Sequence, residues 1–408
     1  MATARTIHLS TEDSGVYRFN PRAESALKAS QLLQQDLKSH HIFFNEIGFH
    51  NHIVHHLLSI FALGATPEHI QTAFDRNSAY QRPALPADEG IVRKLSNKHE
   101  FRALAGKRDE YPHFLEFFQR EIDSRGIEAT VNEYLFNGDD FADEMLARAF
   151  GGLLHPFIHL GFGLEFKQPA IVAQALAQAA VHESTLKGFF METEAKSGGV
   201  GNAGTKNLVD LQNECRADPC LRGSSHWSDT NKVFDGVLKR APEEMIKYAS
   251  QFTVETNQIN ERLAEQVNAV VYYTGTAQNP PKKINKHNKQ RLLEWKGRMD
   301  LLVYVSRACP EPRVNEIINY KATKTWQQIF EASFASARED GHAAKLMRTL
   351  AYGEQSERPS NSTGGFPVKG DMWAKLGNMV ADSIQGPEEM WVRSSGFVEA
   401  WKDIPDRF

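Results

Sequence analysis

Apolar residues recur at three- and four-residue spacing through most of the chain, and period-two alternation is scarce. The spacing predicts a helix over Ala23–Ser39, where Leu27, Leu32, Leu33 and Leu37 fall near turn spacing. A second apolar run, Leu57-Leu-Ser-Ile-Phe-Ala-Leu, stops at Gly64. Thr66-Pro67-Glu68 then supplies a capping hydroxyl, a proline suited to the first helical position and an acid in the first turn. Further helices are predicted at 111–125, 127–136, 140–154, 169–183, 242–253, 255–274, 290–309, 326–352 and 373–383. Pro156 lacks a backbone donor and crowds the turn before it, so it must kink the helix it interrupts or begin a new one. The glycine-rich stretch 196–205, with Gly199, Gly201 and Gly204, predicts a mobile loop or a sub-domain boundary. The stretch 276–288, holding Pro280, Pro281 and several lysines, predicts a polar loop. The expected fold is all-α: one large helical domain with long connecting loops.

Composition narrows the class without naming it. A chain of 408 residues with a formal charge of -4 can bury a sizeable core, and its charge argues against nucleic acid as the main partner. No apolar stretch approaches the length of a bilayer span, and the start of the sequence lacks the apolar core of a secretion signal. Cys215, Cys220 and Cys309 make an odd count with no zinc-type spacing. A cytoplasmic protein without membrane or disulfides is expected.

Histidine changes the picture. Six of the sixteen histidines lie between His40 and His56, and four of these (His50, His52, His55 and His56) share the run Gly48-Phe-His-Asn-His-Ile-Val-His-His-Leu-Leu. Packed together and desolvated, four imidazoles would all have to stay neutral, and a metal ion uses that neutral form as a donor. Not all can face one point, since His50 and His52 would lie about 200° apart around a helix. The face shared by His52 and His56 is the first choice of ligand pair, with His55 next. His155 and His159 are also one turn apart, and His342 and Lys345 stand at i and i+3. An ammonium has no lone pair, but a buried lysine beside a cation loses its proton. Its neutral amine could then coordinate, act as a base, or take up carbon dioxide as a carbamate. Each segment alone has an ordinary reading as packed or surface polar residues; convergence on a single metal is the sharper one.

Imidazole-rich donors without thiolate suit iron, copper, nickel or zinc. The zinc-protease signature is absent, because His182-Glu183 has Leu186 where the second histidine would stand. Paired Glu-x-x-His motifs for a di-iron site are also missing, so one ion is expected. Gly199-Val-Gly201-Asn-Ala-Gly204 fits G-x-G-x-x-G, yet no buried strand precedes it, so a loop over the site is the better use. Phe43, Phe44, Phe49, Phe157 and Phe162 flank the proposed ligands and could wall a flat apolar pocket.

Several long motifs together resemble the questin oxidase-like family. They are the histidine run, Ala62-Leu-Gly-Ala65, Tyr80-Gln-Arg-Pro83, His155-Pro-Phe-Ile-His159-Leu-Gly, and His342-Ala-Ala-Lys-Leu-Met-Arg-Thr-Leu350. The resemblance extends from about Tyr17 to Gly396-Phe-Val-Glu-Ala-Trp401. It implies oxidation or ring opening of anthraquinone-type polyketides with molecular oxygen. Members have been described either as NADPH-dependent Baeyer–Villiger monooxygenases or as mononuclear non-haem iron oxygenases. The clustered histidines favour Fe(II), with NADPH-dependent chemistry without metal as the alternative. On that reading the ligand candidates are His52, His56, His155, His159, His342 and Lys345. His50 and His55, with Lys345, are candidates for proton transfer, and Phe49, Asn51 and Phe157 for contact with an aromatic polyketide. A helical binding protein without chemistry, and more distantly a zinc hydrolase, remain as other classes.

Overall fold

The computed structural model describes residues 1–197, 206–273, 286–336, 338–357, 366–385, 392 and 394–403. The protein is all-α. Among the described residues there is no strand, only isolated bridges such as Phe43 to His50. No helix among them is long and apolar enough to cross a membrane. The described residues divide into two compact units, those within 1–187 and 326–348 in the first, and those within 188–273, 286–325 and 349–403 in the second.

In the first unit α1 (Ala23–Ser39), α2 (Ile53–Ala62) and α3 (Pro67–Ser78) pack against one another. All ten residues of α2 are buried, His55, His56 and Ser59 among them. Thr66 caps α3 as expected, accepting from the His69 amide at 3.4 Å, with Pro67 in the first turn. The short helices α4 (Glu89–Lys94) and α5 (Lys98–Leu104) lead to α6 (Tyr111–Leu135), kinked at Gly126 between the two predicted segments. Next come α7 (Asp140–Ala149), α8 (Gly151–Glu165) and α9 (Pro169–Ala180). The alanine-rich α9 is buried from Ala170 onward and lies against α6, α7 and α8.

Two predicted helices are corrected. The helix expected over 140–154 ends at Ala149, because Gly152, Leu153 and Leu154 take left-handed backbone angles (φ 53°, 53° and 65°). The right-handed helix resumes with His155-Pro156, so the proline begins a helical run instead of breaking one. The helix expected over 326–352 is two, Trp326–Ala335 and His342–Ser356, with an acidic turn between them. In the second unit Trp295 is fully buried and stacks on Phe190 at 4.2 Å. The glycines at 199, 201 and 204 and the lysines at 282 and 283 lie outside the described residues.

Candidate metal centre

Three chain segments of the first unit meet at the start of α2. His52 is the N-cap residue of that helix, His155 opens the right-handed part of α8, and His342 is the first residue of the helix His342–Ser356. Gly341 makes the approach possible. Its φ is +108°, and a Cβ there would stand 2.9–3.2 Å from the Cβ, Cα and N of His56. Only glycine lets the acidic turn touch the helix backbone so closely.

Hydrogen bonds fix which ring nitrogens carry protons, since carbonyl and carboxylate oxygens can only accept. His155 Nδ1–H donates to the Gly152 carbonyl at 2.6 Å. His342 Nδ1–H donates to Asp340 Oδ1 at 2.6 Å, and His52 Nδ1–H to Asp340 Oδ2 at 3.4 Å. In the neutral rings this leaves the Nε2 atoms bare. His52 Nε2 and His155 Nε2 nevertheless face each other at 2.9 Å, with nothing but lone pairs between them. A shared cation or an added proton is needed there. The His342 ring stands 4.8 Å from that of His52, edge-on at 87°. Metal-competent atoms of His52, Asp340 and His342 lie within 4.8 Å of one another.

A deeper pair lies beside these groups. His55 Nε2 faces His159 Nδ1 at 3.2 Å, and His159 Nε2–H donates to Gln174 Oε1 at 3.2 Å. Both rings are fully buried, and His55 Nδ1 is buried without a hydrogen-bond partner. Burial therefore rises from His342, whose side chain is 41% exposed, to His55 and His159 at 0%.

Electrostatics follow burial. Desolvation pushes His52 and His159 down to about 4 and His56 to about 3, and holds His50, His55 and His155 well below their ordinary value. Burial opposes ionisation of Asp340, yet the bonds from His342 and His52 hold it far below the carboxylate range. Burial, with the charge of Asp340, raises Glu339 to about 7; its two oxygens accept from the Ala343 amide at 3.0 and 2.8 Å, capping the helix. Burial lowers Lys345 against the pull of Asp340 and Glu339. Its positive charge helps to lower His52, His55, His56 and His155.

The structure sorts the sequence candidates. His52, His55, His155, His159, His342 and Lys345 come together. His56 turns away: its Nδ1 accepts from Asn77 Nδ2 at 3.0 Å, so His55, not His56, shares the site with His52. Asn51 is spent on structure, donating to Asp36 at 2.8 Å and accepting from the Ile53 amide at 2.9 Å. Phe157 is buried and stacks on Phe150 at 5.2 Å, away from solvent. Phe49 is 51% exposed and stacks on Phe44 at 5.9 Å, with Tyr80 edge-on to Phe44 at 5.1 Å, giving an apolar rim. His50 does not reach toward His52; its Nε2 pairs with His182 Nε2 at 2.8 Å. Sequence reasoning missed Asp340, Gln174 and His182. Glu339-Asp340-Gly341 was legible as an acidic helix start before His342, whereas nothing local marks Gln174 or His182.

Known proteins match this chain over nearly its full length. The questin oxidase-like family model matches residues 49–287 and 282–350. The Baeyer-Villiger oxidase ptaJ of Pestalotiopsis fici is 38% identical, covering 99% of each chain. A questin oxidase of Aspergillus terreus is 36% identical over 99% of this chain and 98% of its own. The oxidoreductase AflY of Aspergillus parasiticus is 31% identical over 99% of this chain and 94% of its own. The chain belongs to the questin oxidase-like family.

Proposed function

We propose that this oxidoreductase is a mononuclear non-haem iron oxygenase that opens or oxidises a ring of an anthraquinone-type polyketide. The observation that carries the reading is the 2.9 Å approach of His52 Nε2 to His155 Nε2 in rings whose Nδ1 atoms face oxygen acceptors, which leaves both Nε2 atoms bare in the neutral form. Imidazole and carboxylate donors with no thiolate fit Fe(II). His52, His155 and His342 would hold the ion, with His159 Nδ1 within the same cluster and Asp340 either joining them or orienting two of them. Bound iron supplies activation of dioxygen.

The chain's own residues do the rest. Asp340 and the Gly152 carbonyl hold each donor nitrogen deprotonated and aimed, which raises its basicity. Lys345, lowered toward a neutral amine, serves as a further donor, or as a carbamate oxygen after taking up carbon dioxide. His55, fully buried with an unpartnered nitrogen, can hold or release a proton beside the ring. The stacked rings of Phe44 and Phe49, with Tyr80 edge-on to Phe44, offer aromatic contact suited to a polycyclic phenol. The bond opened would be that between a carbonyl carbon and the adjoining ring carbon.

The relatives called Baeyer-Villiger oxidases favour oxygen insertion, and the second reading is that this insertion uses NADPH and no metal. That reaction places one oxygen atom in the product and sends the other to water, with two electrons from the donor. Iron content measured on purified protein, together with 18O2 incorporation into a hydroxyanthraquinone, separates the two. Stoichiometric iron whose chelation abolishes oxygen uptake supports the proposal. Full activity in metal-stripped protein with NADPH would overturn it.

A further inference from the structure

The left-handed turn at 152–154 requires an explanation. Leu153 and Leu154 carry side chains in a conformation that disfavours them by about 1–2 kcal/mol each. Such backbone persists only where its surroundings over-determine it. Those surroundings are two histidines. A Cβ on Gly152 would come within 2.7 Å of Cε1 of both His50 and His182. The two rings are joined Nε2 to Nε2 at 2.8 Å, and Phe43 lies against each, at 5.1 Å from His50 and 5.5 Å from His182. The His182 carbonyl accepts from the Arg148 guanidinium, itself paired with Glu144, so this segment is tied to the end of α7. On its other face His50 stacks on His155 at 4.0 Å, the planes only 8° apart.

We infer that His182, acting through His50, is a positioning residue that sets the ring plane and protonation site of His155. The His50–His182 pair forms the floor on which Gly152 rests. Gly152 in turn aims its carbonyl at His155 Nδ1, and the stacked His50 ring fixes the plane in which His155 Nε2 points. His50 thereby serves as a structural platform, its Nε2 occupied by His182, and not as a shuttle toward substrate. The metal arm of this inference rests on the proposed function; the tautomer arm does not.

The test uses full-length, metal-free protein with 15N-labelled histidine, and His155 signals identified by their loss in His155→Gln. The wild type is expected to show His155 as a single Nδ1–H tautomer. His182→Leu, which fills the space without the nitrogen bond, is expected to give mixed tautomers and a Co(II) affinity lower by about 10–100-fold. His182→Gln, which can donate to His50, is expected to restore the single tautomer and most of the affinity. His182→Ala serves as a second variant should the leucine side chain perturb folding. A folded variant that keeps the wild-type tautomer overturns the inference. If the wild type binds no Co(II) but the tautomer still shifts, the positioning role stands and the iron reading falls.

Discussion

Arg348 and Glu165 form a buried ion pair between the helix that carries His342 and the helix that carries His155. The second oxygen of Glu165 also accepts from Arg348 Nη1 at 3.3 Å, and both side chains are nearly closed to solvent, at 9% and 16% exposure. The Val16 amide donates to the same carboxylate at 2.8 Å and the Tyr17 carbonyl accepts from Arg348 at 3.1 Å, so the N-terminal segment locks the pair. Removing one partner leaves an uncompensated charge. Arg348→Met is expected to lower stability by about 3–5 kcal/mol in urea unfolding. A loss below about 1 kcal/mol would mean that water reaches Glu165.

Asp340 orients two donor nitrogens at once, so its charge matters as much as its shape. Asp340→Asn is expected to weaken metal binding by about 10–100-fold while leaving the helical circular dichroism unchanged. Titration of metal-free protein with Co(II) checks this.

On the proposed function, His52 and His56 would separate ligand from scaffold. His52→Gln is expected to abolish stoichiometric metal. His56→Gln should keep it and lower stability by about 1–3 kcal/mol, through loss of a buried bond to Asn77. Elemental analysis of both variants, with thermal melting, tells the two roles apart; equal metal loss in both would contradict the assignment.

Gly341→Ala places a methyl group against the His56 backbone at a φ of +108°. A destabilisation of about 1–3 kcal/mol is expected, with weaker metal retention because Asp340 and His342 move with the turn. Unfolding curves and metal analysis measure the two effects together.

In the metal-free protein, buried neutral histidines make stability depend on pH. His52, His159 and His182 titrate near 4 when folded and His56 near 3, below their ordinary value when unfolded. The unfolded chain therefore binds more protons. The stabilising contribution is complete above about pH 6.5 and is lost as pH falls toward 4 and below. Glu339, raised to about 7, acts oppositely: its contribution is present below about 4.5 and lost as pH rises through 7. With four histidines against one carboxyl, the midpoint of urea unfolding should fall steeply between pH 6.5 and 4. A flat profile there would mean that the imidazoles are solvated.

Local pattern was enough for much of this protein. Periodicity and capping residues predicted α1 and α3 closely and the all-α class, because these depend on neighbours within one or two turns. The clustering of His50 to His56, the pair His155 and His159, and His342 with Lys345 marked the site for the same reason. Spacing pointed to His56 ahead of His55, although both lie within one turn of His52. That choice fell to α8, which brings His159 to His55, and to α3, which brings Asn77 to His56. Likewise Gln174 and His182 carry no local mark, and the left-handed turn at 152–154 reads as a continuing helix in the sequence. Helix formation is decided by bonds four residues long, whereas the meeting of His52 with His155 and Asp340, and of His55 with His159, joins residues 103, 288 and 104 positions apart, and only the packed fold brings those together.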